Sequence, residues 1–318
     1  MIIFFTILTK KSGMGNYFRT LELYNQTKSK EYCEFYLYTE EEFSGFIDES
    51  VKVWDKSIYL NTVINSEQKN ILVCDLPYID YEFNDFLTNN FDLLITINDA
   101  TIEEIQPNYY FNTDMLIKPP KNVISYLGLQ YQIIRSDLIK NEIQMNKIQT
   151  IGVMFGGSDP DNLTLKFIVE LSQSRKLKDF NFKIIVPLNK KVEFDNIVRK
   201  LKVTNIQIIS SPDMVGFYLE INGVINMGGM STYEAMYVGI PVFSVEWSYM
   251  DKYVKNLSVK NLIINLGKIE DSIKSLENSL NTLPIEKIRL MVSNASRVID
   301  GLGSSRIVNK IIEISRGL

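Results

Sequence analysis

Short apolar runs alternate with longer polar and amphipathic stretches through the first half of the chain. The apolar runs predict strands at Ile2–Leu8, Glu34–Tyr38, Asn70–Cys74 and Leu93–Ile97. The stretches between them predict helices at Asn16–Thr27, Glu40–Phe46 and around Tyr81–Asn89. Continuous apolar runs are typical of strands that are buried on both faces. Strands that alternate with helices in this way build a parallel sheet, so the pattern predicts an α/β domain.

The alternation resumes after a polar stretch at Ile139–Gln149 and predicts a second domain of the same kind. Its strands are expected at Thr150–Phe155, Phe182–Val186, Ile206–Ile209, Gly223–Asn226 and Pro241–Val245, and its helices at Asn162–Ser172, Val192–Leu201 and Thr232–Val238. Ahead of the polar stretch, Gly128–Leu138 predicts a short strand and turn, and the amphipathic segment Arg306–Ser315 predicts a last helix. We therefore expect Rossmann-like domains at 1–145 and 150–300, and a C-terminal helix within 301–318 that packs back across them.

The net charge and the counts of histidine and cysteine disfavour several classes of function. A net charge of −4 gives no reason to expect a nucleic-acid partner. The 318 residues include no histidine, which excludes Ser–His and Cys–His nucleophile pairs and disfavours zinc. Two cysteines are too few for a disulfide framework, and they favour a reducing cytoplasm. The apolar start at Met1–Thr9 predicts a strand rather than a signal peptide, and no apolar run is long enough for a membrane span. Nothing in the sequence calls for a metal or a cofactor.

Three glycine-bearing loops follow predicted strands, where open parallel sheets bind ligands. The first contains Gly13 and Gly15, and then Asn16 and Arg19 at the start of a helix. It lacks the third glycine of the dinucleotide fingerprint, which disfavours NAD. A simple turn and a ligand contact both remain open for it.

The second loop, Gly156-Gly157-Ser158, favours a phosphate or sugar contact over a plain turn. The third loop contains Gly228, Gly229 and Ser231 ahead of Glu234. Its backbone N–H groups suit a diphosphate, because glycine permits close approach and the following helix contributes its positive end. Glu234 could accept hydrogen bonds from the two ribose hydroxyls. The alternative for Glu234 is an interaction with the helix dipole.

The third loop carries a resemblance to a known family. The pattern Gly228-Gly229-x-Ser231-x-x-Glu234-Ala235-x-x-x-Gly239-x-Pro241 resembles the donor-nucleotide motif of GT-B glycosyltransferases, in the branch of the enzyme that adds N-acetylglucosamine to lipid I. The chain is similar also to the hydrolases of UDP-2,4-diacetamido-2,4,6-trideoxy-β-L-altropyranose in pseudaminic acid synthesis, and to their spore-coat polysaccharide relatives. Those hydrolases share a Gly-x-Gly-His-x-x-Arg loop, which is Gly13-Met14-Gly15-Asn16-Tyr17-Phe18-Arg19 here, and a Gly-x-x-Tyr-x-x-x-Arg pattern, which is matched from Gly128 to Arg135.

The resemblance implies a GT-B fold in which two Rossmann-like domains face a central cleft and bind a UDP-sugar. It places the uracil near Met214 and Val215, the diphosphate on the loop from Gly228 to Ser231, and the ribose on Glu234. Gly13, Gly15, Asn16 and Arg19 would face the sugar from the N-terminal domain. Tyr249 and Asp251 would bind the sugar hydroxyls, with a solvated loop as the alternative.

One departure from the family pattern concerns the catalytic base. The family has a histidine where this chain has Asn16, and an amide does not accept a proton near neutral pH. Asp75 and Asp99 follow strands at the predicted binding edge and are candidate bases, or else serve as helix caps or loop residues. Alternatively, no protein base is needed and the departure of UDP drives the step.

Three functions therefore compete. The first is a nucleotide-sugar hydrolase of surface-glycan synthesis, which releases UDP by cleaving the anomeric C–O bond with water. The second is a glycosyltransferase that passes the sugar to a glycan, lipid or protein acceptor. The third is a nucleotide-sugar binding protein that has lost catalysis.

Overall fold

The computed structural model describes residues 1–9, 12, 14–40, 45, 47–54, 69–78, 86–87, 89–97, 105–113, 121–140, 147–156, 159–210 and 213–317, with the backbone alone at 160 and 249. The chain divides into two compact units. The first comprises Met1–Arg135 with Gly301–Leu318, and the second comprises Ser136–Asp300.

The described part of the first unit contains a seven-stranded parallel sheet. Its strands are β1 Ile2–Leu8, β2 Cys33–Thr39, β3 Lys52–Val53, β4 Ile71–Asp75, β5 Leu93–Ile97, β6 Tyr109–Asn112 and β7 Ile124–Leu127. Helix α1, Gly15–Lys28, connects β1 to β2. The strand order is β3-β2-β1-β4-β5-β6-β7, so the chain reverses its direction of progress between β1 and β4. In sheets of this type, ligands bind at the carboxyl ends of the strands at such a switch point.

The second unit contains a six-stranded parallel sheet in the described residues. Its strands are β8 Thr150–Val153, β9 Asn181–Ile185, β10 Ile206–Ile209, β11 Val224–Asn226, β12 Val242–Glu246 and β13 Ile264–Lys268. Its helices are α2 Leu163–Gln173, α3 Lys191–Lys200, α4 Met214–Leu219, α5 Met230–Val238, α6 Asp251–Val259, α7 Ile269–Thr282 and α8 Ile285–Val298. The order β10-β9-β8-β11-β12-β13 puts the switch point between β8 and β11.

The last helix, α9 Gly303–Arg316, belongs to the first unit and packs beside α1. Its apolar side chains Ile307, Val308 and Ile311 are buried in one core with Phe4 of β1 and Leu23 of α1. A separate apolar cluster covers the opposite face of the sheet. The parallel strands are continuous apolar runs because both of their faces are covered.

The two Rossmann-like α/β units confirm the predicted fold class. The described strands and helices overlap the predicted ones, and α5 ends as expected at Gly239, which has a φ of +92°. The prediction at Gly128–Leu138 was wrong in detail. The strand β7 ends at Leu127, and Leu129–Tyr131 form a short 3-10 helix instead. The helices predicted at Glu40–Phe46 and Tyr81–Asn89 lie largely outside the described residues.

The two cysteines and the helices were also compared with the expectations from composition. Cys33 and Cys74 are both buried, and neither forms a disulfide. Burial raises the pKa of the Cys33 thiol to about 12. Across the described ranges, no helix combines the length and the apolar character needed to cross a bilayer.

Candidate functional site

A buried ion pair lies at the carboxyl edge of the first sheet, at the switch point between β1 and β4. Arg19 Nε donates to Asp75 Oδ2 at 2.6 Å, and Arg19 Nη2 donates to Asp75 Oδ1 at 2.9 Å. The same Nη2 donates to Asn16 Oδ1 at 2.8 Å. The first turn of α1 supplies Asn16 and Arg19, and β4 ends at Asp75. The structure therefore joins Asp75, which the sequence predicted separately, to Asn16 and Arg19 of the first loop.

Burial determines the electrostatics of this group. Asp75 is 1% exposed, whereas the Arg19 side chain is 14% exposed. Burial raises the pKa of Asp75, and the charge and hydrogen bonds of Arg19 oppose that shift. Both carboxylate oxygens accept hydrogen bonds from the same guanidinium in a bidentate pair, which fixes the direction of Arg19. At this point the sheet edge therefore presents the partly exposed guanidinium of Arg19, while the Asp75 carboxylate is buried.

Hydroxyl groups shape the first glycine loop ahead of α1. Thr9 N–H donates to Ser12 Oγ at 2.8 Å, and Ser12 Oγ donates to the carbonyl of Ile7 at 3.1 Å. Gly15 is the first residue of α1. Gly13 and Asp99, both predicted at the site, lie outside the described residues.

The third glycine loop lies at the switch point of the second sheet, between β11 and α5. Gly228 has a φ of +89°, and a Cβ there would lie 2.7 Å from Val254 Cγ2 on α6. Both the conformation and the space therefore require glycine. Gly229 has a φ of −77°, and a Cβ at this position would meet no atom within 4 Å. The open space beside Gly229 is where a ligand could approach the backbone.

The start of α5 offers unpaired donors to such a ligand. No side chain caps this helix. The N–H groups of Gly229, Met230 and Ser231 make no hydrogen bond within the described part of the chain. Unpaired N–H groups and the positive end of the helix dipole together form a site for an anion.

Glu234 is buried behind the loop and is tied to α4. It is 6% exposed, and Tyr218 Oη donates to its Oε2 at 3.1 Å. Tyr218 belongs to α4, which begins at Met214. Asp213 caps that helix and accepts from Val215 N–H at 3.2 Å. The Val215 N–H is therefore already bonded within the protein.

The second glycine loop lies beside the third. Gly156 has a φ of +82°, and a Cβ there would lie 3.1 Å from Met227 Cε. Asp159 accepts hydrogen bonds from the backbone N–H and the hydroxyl of Thr164, and so holds the start of α2. Gly157 and Ser158, predicted to bind the nucleotide, lie outside the described residues.

The predicted sugar-binding pair follows β12. Asp251 is the first residue of α6, and its Oδ2 lies 3.9 Å from Lys255 Nζ. Lys255 also pairs with Glu246 at 3.1 Å. Tyr249 belongs to the short 3-10 helix Ser248–Met250, and its side chain lies outside the description. Among the described residues, no group of three or more His, Cys, Asp or Glu side chains is arranged to hold a metal ion.

Sequence reasoning missed the polar residues that support the third loop. Asn226, Thr232 and Ser244 are fully buried, and the hydroxyls of Thr232 and Ser244 each donate a hydrogen bond to Asn226 Oδ1. Asn226 ends a strand next to the glycines, so its position was a usable signal. Nothing in the sequence indicated that Ser244, on the next strand of the sheet, or Tyr218, on α4, would join the site.

No family model matches the chain. The chain is 26% identical over 288 residues to an uncharacterised protein of Methanocaldococcus jannaschii, covering 79% of this chain and 57% of that protein. It therefore spans little more than half the length of that relative. It is also 21% identical to the spore coat polysaccharide biosynthesis protein SpsG of Bacillus subtilis, over 93% of each chain.

Solved structures are similar to this chain over nearly its whole length. MurG of Acinetobacter baumannii superimposes with a TM-score of 0.67 over 98% of this chain and all of that one, at 11% identity. The UDP-GlcNAc 2-epimerase of Neisseria meningitidis, solved with UDP-GlcNAc bound, matches with a TM-score of 0.65. The match covers 98% of this chain and all of that chain, at 12% identity. At these identities the likeness shows the fold, which is GT-B.

Proposed function

We propose that this chain processes a UDP-sugar in the synthesis of a surface glycan, and that it cleaves the anomeric C–O bond to release UDP. The observation that carries the proposal is the third glycine loop at a switch point, where the N–H groups of Gly229, Met230 and Ser231 make no hydrogen bond to any described residue. Similarity to a spore coat polysaccharide biosynthesis protein supports the glycan context. A fold neighbour that was solved with UDP-GlcNAc supports the ligand class. Cys33 and Cys74 form no disulfide, which is typical of proteins in a reducing compartment, so we place the reaction in the cytoplasm.

In this proposal the nucleotide binds along the carboxyl edge of the second sheet. The diphosphate lies on the loop from Gly228 to Ser231, and Glu234 accepts hydrogen bonds from the ribose. Met214 and Val215 lie against the uracil. Gly156, Gly157 and Ser158 add contacts from the second loop, and Tyr249 and Asp251 hold the sugar hydroxyls.

The chemical step must proceed without the usual base. The bond between the anomeric carbon and the diphosphate oxygen breaks, and its electron pair goes to UDP. The acceptor oxygen bonds to the anomeric carbon, and its proton passes to the departing diphosphate or to solvent water. Asn16 does not take that proton, and both oxygens of Asp75 are bonded to Arg19. We therefore propose that stabilisation of departing UDP by the α5 donors drives the reaction.

The motif resemblance makes a nucleotide-sugar hydrolase the first candidate. The occupied carboxylate of Asp75 favours a glycosyltransferase as the second. The site could orient the hydroxyl of a glycan, lipid or protein acceptor through contacts with the rest of that acceptor. Water has no such additional groups to bind.

The deciding experiment measures UDP release from UDP-sugars with and without acceptors. Release in water alone supports the hydrolase. Release that requires an acceptor refutes hydrolysis and supports transfer. A protein that binds UDP but never releases it from a sugar would refute both enzymatic proposals and leave a binding protein.

A matched pair of glycine variants tests the diphosphate position. Gly229→Ala places a methyl group in open space, so we expect unchanged thermal stability and UDP affinity lowered about tenfold by crowding of the ligand. Gly228→Ala is expected to destabilise the protein by about 1–3 kcal/mol, because its Cβ would collide with Val254 at a positive φ. Calorimetry and UDP titration measure both effects. Unchanged UDP affinity in Gly229→Ala would contradict the proposed position.

A further inference from the structure

One buried amide gathers the segments that form the third glycine loop. Asn226, the last residue of β11, is 0% exposed. Its Oδ1 accepts from Gly228 N–H at 3.2 Å, from Thr232 Oγ1 at 3.0 Å and from Ser244 Oγ at 2.7 Å. These donors belong to the loop, to α5 and to β12. A single oxygen atom therefore ties three segments together.

The orientation of this amide is determined by its partners. A backbone N–H can only donate, so the atom that meets Gly228 must be the oxygen of Asn226. The other end, Nδ2, is buried without a partner in the described part of the chain. Buried polar atoms without partners are uncommon and call for an explanation. Here the unpaired donor belongs to the residue that supports an anion loop, and the N–H groups of Gly229, Met230 and Ser231 in that loop also have no partner among the described residues.

We propose that Asn226 is the positioning residue for diphosphate binding at the start of α5. By accepting the Gly228 N–H, it holds the loop in the left-handed turn that leads to Gly229, Met230 and Ser231. This inference rests on the proposed function and adds to it the residue that shapes the anion site. The ligand class is a diphosphate, either free or esterified.

The residue type follows from the charge of that ligand. An aspartate at position 226 could accept the same three hydrogen bonds, so the local structure would be kept. Its second carboxylate oxygen would take the place of Nδ2. That oxygen would carry part of the negative charge and would have no hydrogen-bond donor beside it. That charge would repel a bound diphosphate, whereas the amide does not.

The test compares Asn226→Asp with the wild-type full chain by calorimetric titration with inorganic pyrophosphate, UDP and uridine. We expect the variant to bind pyrophosphate and UDP on the order of tenfold more weakly, because a buried negative charge acts at short range. Uridine carries no phosphate, so its affinity should change by less than about twofold. The matched control is Asn112→Asp, the same change at a buried residue that ends β6 in the first unit.

Each outcome decides the proposal. Equal pyrophosphate affinity in Asn226→Asp and wild type overturns it, and so does an equal loss for uridine and pyrophosphate. If wild type binds pyrophosphate but not UDP, the proposed function fails and the pyrophosphate comparison alone decides the role of Asn226. If wild type binds neither, both proposals fail.

A second variant covers the case in which Asn226→Asp does not fold. Thr232→Val removes one of the three hydrogen bonds and keeps the side-chain volume. We expect it to weaken pyrophosphate binding about threefold while uridine binding is kept, since one neutral hydrogen bond contributes modestly. Unchanged pyrophosphate binding in this variant overturns the proposal.

Discussion

The side chain at position 16 determines whether the start of α1 can take up a proton. Asn16 accepts a hydrogen bond from Arg19 and takes no proton. Asp75 is engaged by the same arginine and is fully buried. The described residues of this group therefore present a cation and an amide, which suit binding of a leaving group or a hydroxyl better than activation of water.

Asn16→His tests whether water activation alone is missing. We expect the variant to release UDP from a UDP-sugar in water about 10²-fold faster, the lower range for a general base. Imidazole has an ordinary pKa of about 6.5, and the neighbouring Arg19 lowers it. The base works when deprotonated, so the rate should rise with pH through that pKa. Asn16→Gln adds no titrating group and should show no gain. A histidine variant without gain would point to another acceptor or another base.

Arg19→Met tests the buried pair. It leaves the Asp75 carboxylate without a counterion, and we expect a loss of about 3 kcal/mol in unfolding free energy at neutral pH. Burial already raises the pKa of Asp75, and removal of Arg19 raises it further. The folded variant then keeps this proton to a higher pH than folded wild type does, so stability relative to wild type falls as pH rises beyond the raised pKa that Asp75 has in wild type.

Urea unfolding between acidic and neutral pH measures this effect. Adding Asp75→Asn to the Arg19→Met variant removes the titrating group, so the pH-dependent difference should vanish and part of the stability should return. A pH-independent loss in the single variant would contradict the assignment of the effect to Asp75.

At the scale of elements, α9 depends on one glycine. A Cβ at Gly303 would lie 2.0 Å from the backbone oxygen of Gln132. The helix therefore begins in direct contact with the chain that follows β7, and Ser304 is fully buried beside it. This contact holds a C-terminal helix in the core of the first unit.

Gly303→Ala is expected to destabilise the first unit by about 2 kcal/mol or more, because a backbone atom cannot move aside as a side-chain tip can. Gly317→Ala is the matched control on the same helix. Its Cβ would lie 3.6 Å from the nearest oxygen, so we expect a change within about 0.5 kcal/mol. Urea unfolding, followed by Trp54 fluorescence, compares the two variants. Equal stability would show that the close contact at Gly303 is not required.

At the scale of the molecule, the first unit is built from both ends of the chain, whereas the second is continuous. Each unit contains one of the two tryptophans, Trp54 in the first and Trp247 in the second. Fluorescence of single-tryptophan variants can therefore report on each unit separately.

Deletion of 301–318 is expected to unfold the first unit alone, because it removes the buried Ile307, Val308 and Ile311. Emission from Trp54 should shift to longer wavelength, while emission from Trp247 and binding of UDP are retained. Deletion of 317–318 is the control and should change neither signal. A shift of both tryptophans, or of neither, would contradict the division into units.

Local patterns in the sequence were enough to predict the fold class and the positions of the glycine loops. Buried parallel strands require apolar runs, and left-handed turns such as Gly228 require glycine, so both leave local signals. Asn16 and Arg19 were identified in the same way, from one loop and the helix after it.

The contacts that these residues make could be read only from the three-dimensional fold. The pairing of Arg19 with Asp75, the gathering of Thr232 and Ser244 around Asn226, and the packing of α9 against α1 all join distant parts of the chain. A hydrogen bond depends on distances and directions that the strand order and register create, and no local pattern records them. The sequence thus predicted an anion-binding loop, and the fold determined which buried amide holds it in shape.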